Sequence, residues 1–208
     1  MKLYLSSYKI GNEKQKLQEL LSKTNGKVGY IPNALDFTNA NPDRRREHIE
    51  SDMNELREMN LAVEILDLKK YFGKMQELQK KIDELGAVWV SGGNVFVLRQ
   101  AMKLSGFDEI LKTLVARDDF VYGGYSAAGC VLSPTLDGYQ IVDDATDLPY
   151  EGMKEVIKEG IGLIPYAFLP HFDSDHPESD DINKEVRYCT EHKIAFRTLK
   201  DGDAIIVE

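Results

Sequence analysis

Ser126 is the side chain whose surroundings best fit a chemical role. It lies in the stretch V-Y-G-G-Y-S-A-A-G-C, Val121 to Cys130, where a short β-forming run meets two glycines, the serine and then small residues that open an apolar helical run. This is the pattern of a nucleophile elbow, in which a strand turns sharply into a helix and the apical residue exposes its oxygen. The alternative is a plain strand–turn–helix connection, because G-x-S-x-G alone is a weak signal and Ala128 takes its last position.

A serine nucleophile needs a base that accepts its proton. His171, in P-H-F, directly follows the apolar, strand-like segment Ile161 to Leu169. A single histidine in such a place is more often structural, so the prediction depends on Ser126 lying at the same edge of the fold. His176, five residues further on, is the second candidate for the base, or a residue that contacts the substrate.

The base in turn needs a group that orients it. The loop between the candidate nucleophile and the candidate base contains three aspartates, Asp143, Asp144 and Asp147. Aspartates are also common as solvated turn formers. The residues alone therefore leave open which of the three, if any, holds the imidazole.

The oxyanion of an acyl-transfer reaction needs two main-chain donors. One is the N–H of Ala127, which follows the nucleophile. The second is best supplied by Gly93 in the strand break S-G-G-N, because a glycine lets the substrate carbonyl approach the backbone closely. The alternative for this break is a simple turn. A phosphate-binding loop is disfavoured, since neither G-x-G-x-x-G nor a P-loop lysine is present.

The elements that must position these residues alternate between strand-like and helix-like segments. This rhythm predicts a three-layer α/β sandwich with a mostly parallel central sheet and helices on both faces. Ligands bind at the carboxyl ends of the strands in such sheets, so Gly93 and Ser126 are expected at one edge. In the later part of the chain, residues 136–142 are predicted to be extended, residues near 153–157 to form a short helix, and residues 161–169 to form a strand. A last helix is predicted through Val186 and Tyr188. Residues 195–199 and 204–207 are predicted to form a terminal antiparallel hairpin around the turn Asp201-Gly202.

Composition narrows the class of protein. A chain of 208 residues fits one α/β domain. Its net charge of −9 argues against a nucleic acid or an anionic membrane as partner, and Arg44 to Arg46 lie among acidic residues on one predicted helix. Two cysteines without C-x-x-C spacing indicate neither a metal site nor a disulfide framework. With no signal-like or membrane-spanning run, we expect a cytoplasmic protein; the oligomeric state stays open.

Four segments in order carry a resemblance: V-S-G-G-N-V-F-V-L, G-Y-S-A-A-G, P-H-F and R-T-L-K-D-G-D-A-I-I-V. Together they resemble the peptidase E (aspartyl dipeptidase) and cyanophycinase family of serine peptidases, in the class I glutamine-amidotransferase-like superfamily. The resemblance extends over nearly the whole chain and implies a single domain of this type at 1–208. It implies a catalytic Ser126 and His171, oxyanion donors at Gly93 and Ala127, and Asn94 near the substrate.

The resemblance also implies an acidic third member in the region of Asp143 and Asp144. Asp144 is preferred, because the family's carboxylate follows the proline after the elbow helix. The family's elbow usually reads G-x-S-A-G, so Ala128 adds a methyl group where strand and helix pack closely.

The expected protein is thus a serine peptidase without metal or cofactor that acts on small peptides, with N-terminal Asp dipeptides as candidate substrates. An acidic side chain would need a cationic pocket or one with several hydrogen-bond donors, for which His176 and Arg99 are candidates. The alternatives are an amidohydrolase or esterase, or a non-catalytic ligand-binding or interaction protein on the same fold. A glutaminase is disfavoured, because that chemistry uses a cysteine at the elbow, and Cys130 is predicted to be a small core residue.

Overall fold

The computed structural model describes all residues from Met1 to Glu208, and eight strands form two sheets. The central sheet has six strands in the order β3-β2-β4-β5-β1-β8, all parallel except β8, which runs antiparallel to β1. A separate pair, β6 and β7, is parallel. The strands are β1 (Lys2–Ser6), β2 (Lys27–Ile31), β3 (Ala62–Ile65), β4 (Ala87–Val90), β5 (Val121–Tyr125), β6 (Ala167–Leu169), β7 (Phe196–Thr198) and β8 (Ala204–Val207).

Seven α-helices and three short 3-10 helices connect the strands. No helix is both long enough and apolar enough to cross a lipid bilayer. The α-helices are α1 (Lys14–Leu21), α2 (Pro42–Arg57), α3 (Met75–Asp83), α4 (Val95–Ser105), α5 (Phe107–Leu114), α6 (Ala127–Cys130) and α7 (Ser179–Glu191). The 3-10 helices are Asn33–Leu35, Leu68–Tyr71 and Asp137–Ile141.

The central sheet is covered on both faces, and β4 shows why its sequence is apolar throughout. Val88 and Val90 pack into one buried cluster with α3, α4 and α5, whereas Ala87 and Trp89 pack into the other with α1 and α2. Strands buried on both faces are expected to be continuously apolar. The three-layer architecture with a mostly parallel sheet is therefore confirmed.

The predictions for the middle of the chain are partly wrong. Residues 136–142 are not extended, because Asp137–Ile141 form a 3-10 helix. Leu136 and Tyr139, both buried, lie three residues apart, which is the spacing of a tight helical turn and not that of a strand. Residues 153–157 contain no helix, and the strand predicted at 161–169 is limited to β6.

The carboxyl-terminal antiparallel strand is confirmed, but its partner differs from the predicted one. β8 pairs with β1, and β7 pairs with β6, so the two strands do not form a hairpin. At the edge of the central sheet β8 packs on both faces: Ile205 contacts one core cluster, and Ala204 and Ile206 contact the other. The turn at Asp201 and Gly202 therefore links the two sheets.

Candidate active site

Ser126 occupies a strained apex directly after β5. Its backbone has φ 50° and ψ −110°, in a region that residues other than glycine rarely adopt. Its N–H donates to the carbonyl of Ser6 at the end of β1 (3.1 Å), and its carbonyl accepts from Gly129 and Cys130 in the first turn of α6. The strand–turn–helix context that a nucleophile elbow requires is thus present.

The elbow accommodates Ala128 because Gly124 in β5, against which it packs, has no side chain. A Cβ atom on Gly124 would lie 2.5 Å from the Cβ of Ala128 and 2.4 Å from the carbonyl oxygen of Val90. Contacts this short are not tolerated, so only glycine fits at 124. The methyl group of Ala128 fills the space that this glycine leaves, and the strand and helix still pack closely.

His171 follows β6 and is held by a hydrogen-bond network. Its side chain is 2% exposed, and Nδ1 lies 2.7 Å from Oδ1 of Asp201. The N–H of His171 donates to Oγ of Ser7 (2.8 Å), and the Ser7 hydroxyl donates to Asp201 Oδ1 (2.8 Å). Since a carboxylate only accepts, the imidazole proton is assigned to Nδ1, which leaves Nε2 free to accept a proton.

The protonation state of His171 suits a general base. Burial lowers its pKa from the ordinary 6.5, and the hydrogen bond that its Nδ1–H donates to Asp201 offsets part of that effect. The imidazole is therefore neutral at pH 7, which is the form that can take a proton from an alcohol.

The carboxylate that is hydrogen-bonded to His171 belongs to Asp201, and not to Asp144 or Asp143 as the sequence predicted. The Asp144 carboxylate is exposed and accepts from the N–H and hydroxyl of Thr146, at 2.8 and 2.7 Å. The Asp143 carboxylate accepts from the N–H of Val95 at 2.7 Å. Neither makes a hydrogen bond with His171, because the loop that carries them packs against the start of α4. Asp147 likewise bonds elsewhere, to Thr38.

Gly93 and Ala127 line the same cavity as Ser126. Gly93 has φ 132°, and a Cβ atom there would lie 2.4 Å from the carbonyl oxygen of Ala34, so no other residue fits without displacing the backbone. Its N–H has no acceptor within the protein. Ala127 is the first residue of α6, where N–H groups have no intrahelical acceptor. Two main-chain donors thus lie beside the serine.

Asn94, which the resemblance places near the substrate, caps a helix and binds a neighbouring loop in this fold. Its side-chain oxygen accepts from the N–H groups of Phe96 and Val97 and caps α4 (2.8 and 3.0 Å). Its amide nitrogen donates to the carbonyl of Asp144 (3.0 Å). The side chain therefore fixes the loop that borders the site.

His176 stacks on His171, with ring centroids 3.7 Å apart and an 8° angle between the planes. His171, His176 and Glu178 each offer one possible ligand atom for a metal ion, and these three atoms lie within 4.8 Å of one another. Imidazole lone pairs lie in the ring plane, so two stacked, parallel rings cannot both point at one ion. The group does not fit a metal centre, and His176 instead covers the imidazole of His171.

Ser126 and His171 lie at the same carboxyl edge of the fold, but no hydrogen bond joins them in this structure. Nε2 of His171 lies 4.0 Å from Oε2 of Glu178. Glu178 lines the cavity that Ser126 also lines. Ser126 and His171 therefore approach this edge from two different sheets, and Pro170, which precedes His171, lines the cavity.

Two other residues considered from the sequence are structural. Arg99 is buried, and its guanidinium donates to Asp108 and to the carbonyl of Glu159, both at 3.0 Å, so it is not available to a substrate. The Cys130 thiol donates to the carbonyl of Phe168 at 3.3 Å, and burial raises its pKa well above the ordinary value. It is a core residue, as predicted, and not a thiolate nucleophile.

Sequence reasoning missed the acidic character of the cavity beside Ser126. We call it the carboxylate cavity: about 20 Å³, with Ser126, Ala127, Asp143, Glu178 and Glu185 in its wall. Glu185 is 1% exposed, and neither of its carboxyl oxygens has a hydrogen-bond partner. Burial and the neighbouring carboxylates raise its pKa to about 9, and burial raises the pKa of Asp143 to about 7.

Glu185→Gln is expected to stabilise the protein at alkaline pH. In the folded chain Glu185 keeps its proton up to about pH 9, whereas after unfolding it ionises above its ordinary 4.5. Unfolding therefore releases a proton in this window, and stability falls as pH rises through it. The glutamine variant removes this loss, so it should gain up to about 5 kcal/mol in urea unfolding at pH 8.5 and little at pH 4.

The matched control for this prediction is Glu191→Gln, on the exposed part of the same helix. It should change the free energy of unfolding by less than about 0.5 kcal/mol at both pH values. Parallel stability–pH curves for the wild type and the Glu185 variant would show that Glu185 ionises normally.

Comparison with known proteins gives the family. The chain matches the sequence model of peptidase family S51 over residues 5–208. It is 26% identical over 127 residues to an uncharacterized peptidase of Listeria monocytogenes, Lmo0363, a segment that is 61% of this chain and 58% of the relative. It is 29% identical over 133 residues to peptidase E of Streptomyces coelicolor, 62% of this chain and 51% of the relative. The matched segments thus span little more than half of each relative.

Two solved structures share the fold. A candidate peptidase E protein of Listeria monocytogenes superposes with a TM-score of 0.73 at 22% identity, covering 100% of this chain and 98% of that one. A peptidase from an acI-B1 actinobacterium gives 0.69 at 12% identity, with 100% and 83% covered. At these identities the likeness concerns the architecture. Because the family model covers nearly the entire chain, this protein belongs to peptidase family S51.

Proposed function

We propose that this protein is a serine peptidase that hydrolyses small peptides with Ser126 as nucleophile, His171 as base and Asp201 as the group that orients the base. The observation that carries the proposal is the hydrogen bond between the buried His171 and the half-buried Asp201, at the same edge as the strained apex at Ser126. Family membership and the relative named peptidase E support the reaction class.

For each step of the proposed reaction, the protein offers a group that can carry it out. The Ser126 oxygen attacks the peptide carbonyl carbon while its proton passes to Nε2 of His171, and Asp201 stabilises the imidazolium through Nδ1–H. The N–H groups of Gly93 and Ala127 bind the oxyanion. The imidazolium then protonates the leaving amine, and a water activated by the same imidazole hydrolyses the acyl-enzyme.

The first step requires the Ser126 hydroxyl to turn toward Nε2 of His171. In unliganded enzymes, catalytic hydrogen bonds are often long and tighten only when the substrate is bound. A serine hydroxyl moves by rotation about one side-chain bond. We therefore propose that substrate binding closes the gap between the serine and the imidazole.

The proposal places the whole reaction in one domain, residues 1–208, of the class I glutamine-amidotransferase-like type. Side chains and main-chain amides fill all the catalytic roles, so the proposed reaction uses neither a metal nor a cofactor. The proposed partner is a small peptide substrate.

A fluorophosphonate probe tests the reaction class directly. We expect covalent labelling of Ser126, located by mass spectrometry, because an activated serine attacks phosphorus as it attacks a carbonyl. The rate of labelling should fall only at acid pH, and the midpoint of this fall should lie below pH 6.5, because burial lowers the pKa of His171. A folded protein that the probe leaves unlabelled would instead favour a non-catalytic binding protein on this fold.

A further inference from the structure

Tyr8 lies at the rim of the proposed reaction centre, two residues beyond the end of β1. β1 pairs with β5, and Ser6 lies opposite Tyr125, the residue that precedes Ser126. The Tyr8 ring makes edge contacts with Tyr125 and with His171, and in both pairs the ring centroids are 6.0 Å apart. Tyr8 therefore contacts both the proposed base and the residue before the proposed nucleophile.

The ring of Tyr8 is exposed, unlike most tyrosine rings of the central sheet. Tyr8 is 41% exposed, whereas Tyr4, Tyr30, Tyr122 and Tyr125 are at most 2% exposed. Single apolar side chains on a protein surface are common and need no explanation by themselves. Two further features distinguish Tyr8 from them: its contact with the base and the way its backbone is held.

The backbone on both sides of Tyr8 is held by buried polar groups. On one side, the buried hydroxyl of Ser7 accepts from the N–H of His171 (2.8 Å). On the other side, the Lys9 ammonium pairs with Asp52, whose side chain is 1% exposed. Lys9 has φ 51°, a conformation that residues other than glycine rarely adopt and that persists where surrounding contacts enforce it. A fixed turn therefore presents the Tyr8 ring at the rim.

The position of the base determines which part of a peptide meets Tyr8. In the proposed reaction the His171 imidazolium protonates the leaving nitrogen, so this nitrogen must come within hydrogen-bond distance of Nε2. The side chain of the leaving residue begins two bonds from that nitrogen. The centroid of the Tyr8 ring lies 6.0 Å from the imidazole centroid, which is within reach of such a side chain. Tyr8 therefore borders the leaving residue.

The groups around Tyr8 favour an apolar side chain. His176 lies beside Tyr8, with ring centroids 5.6 Å apart, and stacks on His171. Burial lowers the pKa of His171, so the imidazole next to the Tyr8 ring is neutral at pH 7. Aromatic rings bind aromatic and aliphatic groups because the contact removes apolar surface from water. We call the surface formed by Tyr8 and His176 the leaving-residue site.

We propose that the leaving-residue site binds an aromatic or large aliphatic side chain on the residue whose nitrogen leaves, with the Tyr8 ring as its main contact. The substrates would then be small peptides with an apolar residue after the scissile bond. Tyr8 acts through the apolar surface of its ring, so its hydroxyl is not required. This inference rests on the proposed peptidase function, which supplies the leaving nitrogen.

Binding to the Ser126→Ala protein tests the inference without turnover. Calorimetry would compare Ala-Phe with Ala-Gly and Asp-Phe with Asp-Gly, since only the leaving residue differs within each pair. We expect the phenylalanine peptide of at least one pair to bind about ten times tighter than its glycine partner, because its phenyl ring is buried against Tyr8. Phe-Gly is the positional control: any advantage that it has over Ala-Gly should not change when Tyr8 is replaced.

Substitutions of Tyr8 connect the preference to its ring. Adding Tyr8→Ala should reduce the advantage of the phenylalanine peptide to about threefold or less, and Tyr8→Gln, which keeps more of the side-chain bulk, should do the same. Adding Tyr8→Phe should retain the advantage. The matched control is Phe37→Ala, which removes another exposed aromatic ring (37% exposed) and should leave the advantage intact.

Four results would overturn the inference. They are equal binding within both pairs, no binding of any peptide, an advantage that survives both Tyr8→Ala and Tyr8→Gln, and an advantage that Tyr8→Phe removes. A preference that depends on Tyr8 at the first position of the peptide, with Phe-Gly and not with Ala-Phe or Asp-Phe, would also contradict it.

The two proposals fail in different ways. Fluorophosphonate labelling and peptide turnover by the wild type report on the serine peptidase, whereas the side-chain preference is measured on the inactive variant. Labelled Ser126 without a preference that depends on Tyr8 would leave the peptidase standing and remove the role of Tyr8. A preference that depends on Tyr8 without labelling would leave the binding site standing and remove the reaction.

Discussion

Replacing Ser126 with alanine is expected to abolish peptide hydrolysis, with kcat lower by at least about 10⁴-fold. Without the hydroxyl no acyl-enzyme forms, and only the oxyanion donors Gly93 and Ala127 remain to assist water. The fold should persist, because the Ser126 side chain makes no hydrogen bond in the structure and its backbone is fixed by Ser6 and α6.

The control for this loss is Ser51→Ala on the exposed face of α2. It should keep wild-type turnover of the same peptides, and both variants should melt within about 2 °C of the wild type. Turnover that survives in a pure Ser126→Ala preparation would contradict the role of the serine.

Replacing Asp201 with asparagine is expected to lower kcat/KM by about 10²–10⁴-fold. The carboxylate holds the proton on Nδ1 of His171 and stabilises the imidazolium, and an amide does neither as well. Because this hydrogen bond raises the pKa of His171, its loss should also move the acid limb of the pH–rate profile to lower pH.

Asp144→Asn is the informative control, since the sequence favoured Asp144 for this position. Its carboxylate is exposed and bonds only within its own turn, to Thr146. We expect less than a threefold change in kcat/KM. A large loss in the Asp144 variant together with a mild one in the Asp201 variant would restore the assignment made from the sequence.

The sequence was sufficient to select Ser126 and His171 as the proposed nucleophile and base, because both selections depend on local patterns. Ser126 lies between a strand pattern and a helix pattern, and His171 follows an apolar run. The β-α alternation then places the ends of parallel strands at one edge, so Gly93 is brought near the serine without knowledge of any contact. Regular elements with clear periodicity were therefore predicted well.

Asp201 was missed because its position depends on a pairing between distant strands. Asp201-Gly202 is a strong local turn signal, and it was interpreted as the tip of a hairpin. In the structure β7 lies parallel to β6, so the chain beyond each strand reaches the same place, with His171 after one and Asp201 after the other. The sequence alone does not distinguish a local hairpin from this nonlocal pairing, and only the nonlocal pairing brings Asp201 to His171.

Glu185 left a weaker signal that could have been used. In α7 it lies on the same stripe as Ile182 and Cys189, at spacings of three and four residues, and all three are buried. A carboxylate within an apolar helical stripe predicts either a paired charge or a functional group. The sequence does not show that Asp143, over forty residues earlier, lines the same cavity.

The most direct test of the central claim is a crystal structure of the protein after reaction with a small fluorophosphonate. The account predicts a bond from phosphorus to Oγ of Ser126, a phosphonyl oxygen within hydrogen-bond distance of the N–H groups of Gly93 and Ala127, and Nε2 of His171 within about 3.2 Å of Oγ, with Asp201 still on Nδ1. An adduct on another residue, or one in which the imidazole stays out of reach of Ser126, would contradict it.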